Sequence, residues 1–296
     1  MAELNNCVLI GIFDGVHAGH QELIKSAKAH GKVIALTFYP HPTAIFAPER
    51  TPMQLLPLED RITQLKAHGA DAVEVIDFTK EFAALSPDEF IEQVLITKLA
   101  ASHVVVGENF TFGHKAEGTA HYLQAQKKGF ETTIVKLSEN RGNPVSSSRI
   151  RGLIFDGEVD RAAELLTRNH YLRGPVVHGE KRGREIGYPT ANIGLDSLAC
   201  IPADGIYAGW LTVENKRWAA AISIGTNPTF PGVRGRQVEA YAIDQKDLDL
   251  YDHVATIEFS QRLRDTLKFE SLDSLLVQMK ADCDEAAELT GFTRVN

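Results

Sequence analysis

The sequence predicts an α/β domain with a mostly parallel sheet, followed by an antiparallel β-barrel with a terminal helix. Three observations predict this. Apolar, β-branched runs alternate with helix-like segments through the first half, the pattern of a doubly wound sheet. Beyond Tyr171, short strand-like runs follow one another between Gly, Pro and Asn turns without crossover helices, the pattern of an antiparallel barrel. The chain has 296 residues, 44% hydrophobic and 24% charged, enough for two separate cores. The expected domains are residues 1–167 and 168–296.

The first strand is the unbroken apolar run Cys7-Val8-Leu9-Ile10. It leads into Gly11-Ile12-Phe13-Asp14-Gly15-Val16-His17-Ala18-Gly19-His20 and then a helix-like segment from Gln21. A glycine-rich loop where a buried strand meets a helix is where open α/β sheets bind phosphates. The glycine of His-x-Gly-His lets backbone pass close to a ligand, and imidazoles three apart can share the face of the first helical turn. Further strands are expected at residues 32–38, 72–76, 103–106 and 132–135. Between them, Ser86-Pro87-Asp88-Glu89 starts a helix with an N-cap serine, a first-position proline and a capping-box glutamate. Three polar loops follow strands, at Tyr39-Pro40-His41-Pro42, at Gly107-Glu108-Asn109-Phe110 and at Val145-Ser146-Ser147-Ser148-Arg149-Ile150-Arg151.

In the second half, strands are expected at residues 173–178, 207–213, 218–224, 238–243 and 254–259. The loop Gly179-Glu180-Lys181-Arg182-Gly183-Arg184-Glu185-Ile186-Gly187 precedes Tyr188-Pro189-Thr190-Ala191-Asn192. It lacks the Gly-Lys-Ser/Thr of a Walker loop. Alternate residues of an extended segment share a face, so the oxygens of Thr190 and Asn192 can meet a hard cation such as Mg²⁺. The terminal helix carries an apolar stripe of Leu272, Leu275, Leu276, Met279, Cys283 and Ala286, expected to be core packing rather than a cofactor site.

Charge and cysteine content narrow the classes of partner. A net charge of −8 argues against nucleic-acid or anionic-membrane partners, which need a dominant basic patch. Three cysteines in dissimilar contexts indicate neither a disulfide framework nor a zinc site. No apolar stretch reaches the roughly twenty residues of a membrane span, and no signal peptide is evident. A soluble, cytoplasmic protein acting on small molecules is expected; self-association is left open.

The pattern Gly-x-Phe-Asp-Gly-x-His-x-Gly-His resembles the signature of the prokaryotic bifunctional riboflavin kinase/FAD synthetases. Their amino-terminal half is a Rossmann-like HxGH nucleotidyltransferase. The likeness continues in Gly179 to Asn192, in Ile201-Pro202-Ala203-Asp204-Gly205-Ile206-Tyr207, in residues 223–230 and in Val238-Glu239-Ala240-Tyr241, so it covers nearly the whole chain. It implies riboflavin kinase activity in the barrel and FMN adenylyltransferase activity in the first domain, with ATP, riboflavin and FMN as substrates and Mg²⁺ as cofactor. It implies catalytic roles for His17, His20, Arg151 and Glu239, and metal ligation by Thr190 and Asn192. Nucleotide contacts fall to Gly11, Phe13, Asp14, Gly19, Ser147, Ser148, Gly179, Arg182, Gly183 and Gly187, and flavin contacts to Asn109 and Phe110. Ser148 stands where the family usually has Thr, and Asn109 where Asp is common. Fold alone leaves open a single-activity enzyme or a non-catalytic flavin or nucleotide sensor; the presence of His17, His20 and Glu239 favours catalysis.

Overall fold

The structure, a computed structural model, describes residues 5–178, 186–225, 236–245 and 248–294. The chain divides into two compact units, Met1–Ser147 and Ser148–Asn296. Each is described by itself.

The first unit contains β1 (Asn6–Ile10), α1 (Ala18–Ala27), β2 (Lys32–Tyr39), α2 (Pro42–Phe46), α3 (Leu58–Ala67), β3 (Ala72–Asp77), α4 (Pro87–Phe90), β4 (Ala101–Gly107), α5 (Ala120–Gln124) and β5 (Glu131–Val135). The five strands form one sheet in the order β3-β2-β1-β4-β5, every pair parallel. The doubly wound sheet is therefore as the alternating pattern predicts. Val8, Ile10, Leu36, Val104 and Val106 pack its main core with Leu95. The capping box forms as expected, Ser86 and Glu89 exchanging hydrogen bonds. Downstream, however, α4 runs on as a π-helix over Ile91–Lys98.

The order places a topological switch point between β1 and β4. Two polar loops leave the carboxyl ends of those neighbouring strands, Gly11 to His17 after β1 and Glu108 to Phe110 after β4. This is the crevice where open α/β sheets take their ligands.

Away from those loops, the rings of His30 and His103 stack at 3.7 Å between centroids. His103 sits near the start of β4, with Nε2 2.8 Å from Thr133 Oγ1 and Nδ1 3.9 Å from Glu131. Burial, and then His30, hold its pKa below the usual imidazole value, while Glu131 pulls the other way. An unfolded histidine protonates near pH 6.5, so below that pH the unfolded chain binds more protons than the folded one. This stabilisation is complete above about pH 6.5 and is lost as pH falls toward the depressed folded value. Urea unfolding should lose more stability between about pH 7.5 and about pH 5.5 in the wild type than in a His103→Gln variant; equal losses would refute the assignment.

The unit boundary falls at the first residue of α6 (Ser147–Phe155); the second unit continues with α7 (Val159–Leu166), β6 (His170–Val177), β7 (Ala191–Ile193), β8 (Gly205–Val213), β9 (Lys216–Gly225), β10 (Gln237–Ala242), β11 (Val254–Arg264) and α8 (Leu272–Thr290). Six strands close a barrel in the order β6-β7-β10-β9-β8-β11, all pairs antiparallel. Leu172, Leu211, Ile222, Ala240, Ile257 and Phe259 fill it, and Val159 of α7 belongs to the same cluster. Closure needs close backbone approach at Gly209, where a Cβ would lie 1.9 Å from the Glu258 carbonyl oxygen beside an irregularity in the β8–β11 register.

The terminal helix starts at a Ser271/Ser274 capping box and ends at Gly291 in the left-handed region, φ 70°. Ala286 and Ala287 pack on Ala208, Ala219 and Ile243 of the barrel. The expected apolar stripe is only partly core. Cys283 and Ala286 are buried and Leu272 is exposed, while Leu275, Met279 and Cys283 line a cavity. Helical period identifies an apolar face; it does not say whether the facing surface fills the space.

Candidate active sites

In the first unit, β1 ends in a loop held by buried contacts. Phe13 and Val16 adopt φ of 53° and 42°, and Gly15 φ of 82°. Positive φ suits glycine but strains an aromatic or β-branched residue. The Asp14 carboxylate pins the loop by accepting from the main-chain N–H of Leu55 and Leu56, each at 3.1 Å. Ser147 Oγ donates to the Asp14 carbonyl at 2.9 Å. Phe13 is fully buried, and a Cβ on Gly11 would meet its ring at 2.9 Å. A Cβ on Gly19 would meet the His17 ring at 3.3 Å.

This loop delivers the two histidines. His17 is the N-cap of α1, and His20 lies in the first turn with its ring stacked on His17 at 3.6 Å. Phe13 packs edge-on against His20 at 5.2 Å. Burial, then His17, then Arg61 push the His20 pKa well below the ordinary imidazole value. His20 is therefore neutral at neutral pH until anionic charge enters, and its buried Nδ1 has no hydrogen-bond partner among the described residues. A helix N-terminus with poised imidazoles suits a polyphosphate.

Asp14 and Phe13 thus shape the loop from inside. An Asp14→Ala variant strands two buried N–H groups and should lose about 2–3 kcal/mol of stability. Denaturant titration checks the loss, and an unchanged unfolding midpoint would show that the clamp does not matter.

Other expected residues of this half are placed as follows. Ser147 opens α6, and Ser148 and Arg151 continue along that helix. Asn109 is exposed in the turn after β4, where a Cβ on Gly107 would lie 3.2 Å from its Oδ1. Phe110 is half-buried, stacked on Phe112 at 5.6 Å and packed against the core.

In the second unit, Val238, Ala240 and Ala242 point into the barrel and Glu239 and Tyr241 outward. Asn192 is outward on β7, between buried Ala191 and Ile193. Asn192 is paired in register with Glu239, and Thr190 Oγ1 donates to Glu239 Oε2 at 3.0 Å. The sequence-predicted triad Thr190, Asn192 and Glu239 is thereby brought together.

Glu239 and Thr190 open into a cavity of about 340 Å³ between the barrel's outer wall and α8, with Ile206, Leu267, Leu275 and Met279 among its apolar lining. That volume lies within the range of small-molecule sites. Thr190 also lines a second, smaller pocket with Val176, Pro189, Gln245, Leu250 and Tyr251. Gly187 is described, with φ of 86°; Gly179, Arg182 and Gly183 lie outside the described residues.

Comparison with known proteins adds the chemistry. The FAD synthetase family matches residues 1–149 and the riboflavin kinase family residues 166–290. A Listeria monocytogenes protein named bifunctional riboflavin kinase/FMN adenylyltransferase is 36% identical over 95% of this chain and 91% of its own length. The Bacillus subtilis protein of that name is 36% identical over 96% and 92%. The chain belongs to the bifunctional riboflavin kinase/FMN adenylyltransferase family.

As a member of that family it is an enzyme of flavin nucleotide synthesis, phosphorylating riboflavin and adenylylating FMN. A solved structure from Streptococcus pneumoniae is 34% identical over 97% of this chain and 95% of that one, with a TM-score of 0.87. It bears the name macrolide-efflux protein, a description of that protein which the riboflavin kinase/FMN adenylyltransferase matches do not share. Among the described residues, no helix is long and apolar enough to cross a membrane.

Sequence patterns missed two sets of residues in this family member. Arg61 of α3 is 3% exposed, donates to the Ile12 carbonyl at 3.0 Å and adds its charge beside His20. Its signal was an arginine four residues before Leu65 on the buried face of an amphipathic helix. The second set lines the larger cavity from the end of β11, from α8 and from the segment between them, and includes Arg264 and Asp282.

Proposed function

We propose that the two reactions use two separate sites, with adenylyl transfer assigned to residues 1–167 and riboflavin phosphorylation to 168–296. The observation that carries the kinase half is that Thr190 borders two pockets of the second unit while hydrogen-bonded to Glu239. Riboflavin occupies the larger cavity, whose lining is mostly apolar, and ATP approaches from the smaller pocket. The loop of Gly179, Arg182, Gly183 and Gly187 adjoins Thr190 in the chain and receives the phosphates. Glu239 accepts the ribityl 5′-hydroxyl proton as that oxygen bonds to the γ-phosphorus and ADP departs.

The donor set suits Mg²⁺. The Thr190 hydroxyl donates a hydrogen bond to Glu239, which leaves its oxygen lone pairs for a hard cation, and Asn192 adds a carboxamide oxygen on the same face. Among the described residues no cluster of three His, Cys, Asp or Glu could hold a metal, and Mg²⁺ commonly takes few protein ligands beside substrate phosphates. Thr190 and Asn192 would hold it, and when bound it neutralises charge on the phosphate oxygens.

In the first domain, an FMN phosphate oxygen bonds to the ATP α-phosphorus as pyrophosphate leaves. His17 and His20 donate to the charged oxygens, and Ser147, Ser148 and Arg151 hold the phosphates. Gly11 and Gly19 admit the nucleotide past the loop that Phe13 and Asp14 shape, and Asn109 and Phe110 meet the flavin. The polar loops flanking the switch point support this arrangement. Free, buried cysteines favour the cytoplasm, and the acidic net charge favours small-molecule substrates over nucleic acid.

Incubating the protein with riboflavin, ATP and Mg²⁺ and separating the flavins over time tests the scheme. FMN should appear first and FAD after it. FMN without FAD would remove the adenylyltransferase assignment from the first domain, and neither product would remove both.

A further inference from the structure

Arg264 and Asp282 line the same cavity as Glu239, and the phosphoryl-transfer scheme proposed above gives them no role. Asp282 is 5% exposed and accepts from Arg264 through both oxygens, Nε at 2.8 Å and Nη2 at 2.6 Å. Gln278 Nε2 also donates to it at 2.9 Å. A buried ion pair is weak support for stability, so one facing a substrate cavity calls for a role in that cavity.

Strand register gives its position. Glu239 pairs with Ser223, Ser223 with Ile206 and Ile206 with Arg264. The four residues form one row across β10, β9, β8 and β11, all of them lining the cavity. Three strand spacings of about 4.8 Å separate the end positions by roughly 14 Å along the wall. With both side chains reaching inward, this is the span of a tricyclic ring with a polyol tail. Glu239 marks the end where the hydroxyl reacts, and Arg264 the other.

Arginine has five N–H donors, of which Asp282 and the Asp265 carbonyl take three. Among the described residues, two are left for a ligand. A guanidinium is a donor only, so its match on an isoalloxazine is an acceptor pair, a ring carbonyl oxygen beside an unprotonated ring nitrogen. Such pairs exist only on the pyrimidine side; the dimethylbenzene edge has no acceptor.

We propose that Arg264 orients riboflavin by donating to a carbonyl and ring-nitrogen pair of its pyrimidine side, with Asp282 as the positioning residue that aims the guanidinium. The flavin then has one sense in the cavity, which directs the ribityl hydroxyl toward Glu239. This rests on riboflavin occupying this cavity.

The test uses the full chain with Arg264→Met, and with Arg264→Met/Asp282→Leu so that no buried carboxylate is left unpaired. Kinase KM and kcat are measured with riboflavin, 1-deazariboflavin and 5-deazariboflavin, and circular dichroism with thermal unfolding reports on folding of the barrel. The wild type should disfavour one deaza analogue. Both variants should raise riboflavin KM about ten- to hundredfold and lose that discrimination. Asp282→Asn, which retains an acceptor, should give an intermediate KM. If the wild type treats all three flavins alike, or the variants keep its preference, the orienting role is wrong. Ala221→Phe, which fills the cavity, separates the two failures. An unchanged riboflavin KM in Ala221→Phe would mean that riboflavin binds elsewhere; a raised KM alongside an indifferent Arg264 would reject only the orienting role.

Discussion

In a Glu239→Gln protein, riboflavin phosphorylation is expected to fall by about 10²- to 10⁴-fold, the range for loss of a positioned general base. Glutamine keeps the shape and an oxygen that can accept from Thr190, so the hydrogen bond at that position can persist while basicity is lost. Glu239 points away from the barrel core, so the barrel should fold unchanged. Adenylylation of added FMN should proceed at the wild-type rate. Initial rates of FMN formation from riboflavin and of FAD formation from FMN provide the comparison. Retention of more than about a tenth of the kinase rate would reduce Glu239 to a bystander.

His20→Ala should produce the converse, with FAD formation reduced by about 10²- to 10³-fold as for loss of one preorganised donor, and FMN formation intact. His20 is held between the His17 and Phe13 rings, and its depressed pKa keeps an isolated buried charge out of the loop before substrate arrives. Polyphosphate charge reverses that balance and favours the protonated ring. Circular dichroism and the kinase rate report on whether the variant is folded. Normal FAD synthesis in a folded His20→Ala protein would exclude the imidazole from the chemistry.

The architecture was legible from local pattern, because strand-helix alternation and short turn-bounded strands each permit few topologies. The shared face of Thr190 and Asn192 was also legible, from period-two alternation; Glu239 was singled out by the family resemblance alone, and its place opposite Asn192 came with the strand ladder. Three features were not legible. The family resemblance puts Asp14 among the nucleotide contacts, but the partners its carboxylate accepts from, Leu55 and Leu56, are far along the chain and invisible to local pattern. Arg61 is hidden by its charge, since a buried guanidinium beside His20 follows from tertiary packing alone. The stripe on α8 showed which side of the helix is apolar, whereas the 340 Å³ gap beneath it depends on how far the helix stands off the barrel.

The position of α8 bears on how the chain tolerates being shortened. The last barrel strand ends at Arg264, and every barrel pairing is made before α8 begins. A frameshift or protease nick near Ser271 would leave a closed barrel with an uncovered patch at Ala208, Ala219 and Ile243, and with Leu275, Met279 and Cys283 missing from one wall of the cavity. Such a product would keep its β-sheet spectrum and lose its kinase. Arg294, anchored to Asp244 by a 2.7 Å hydrogen bond and also paired with Asp284, fastens the segment after α8 to the turn that follows β10, a tie that the shortened product would also lack.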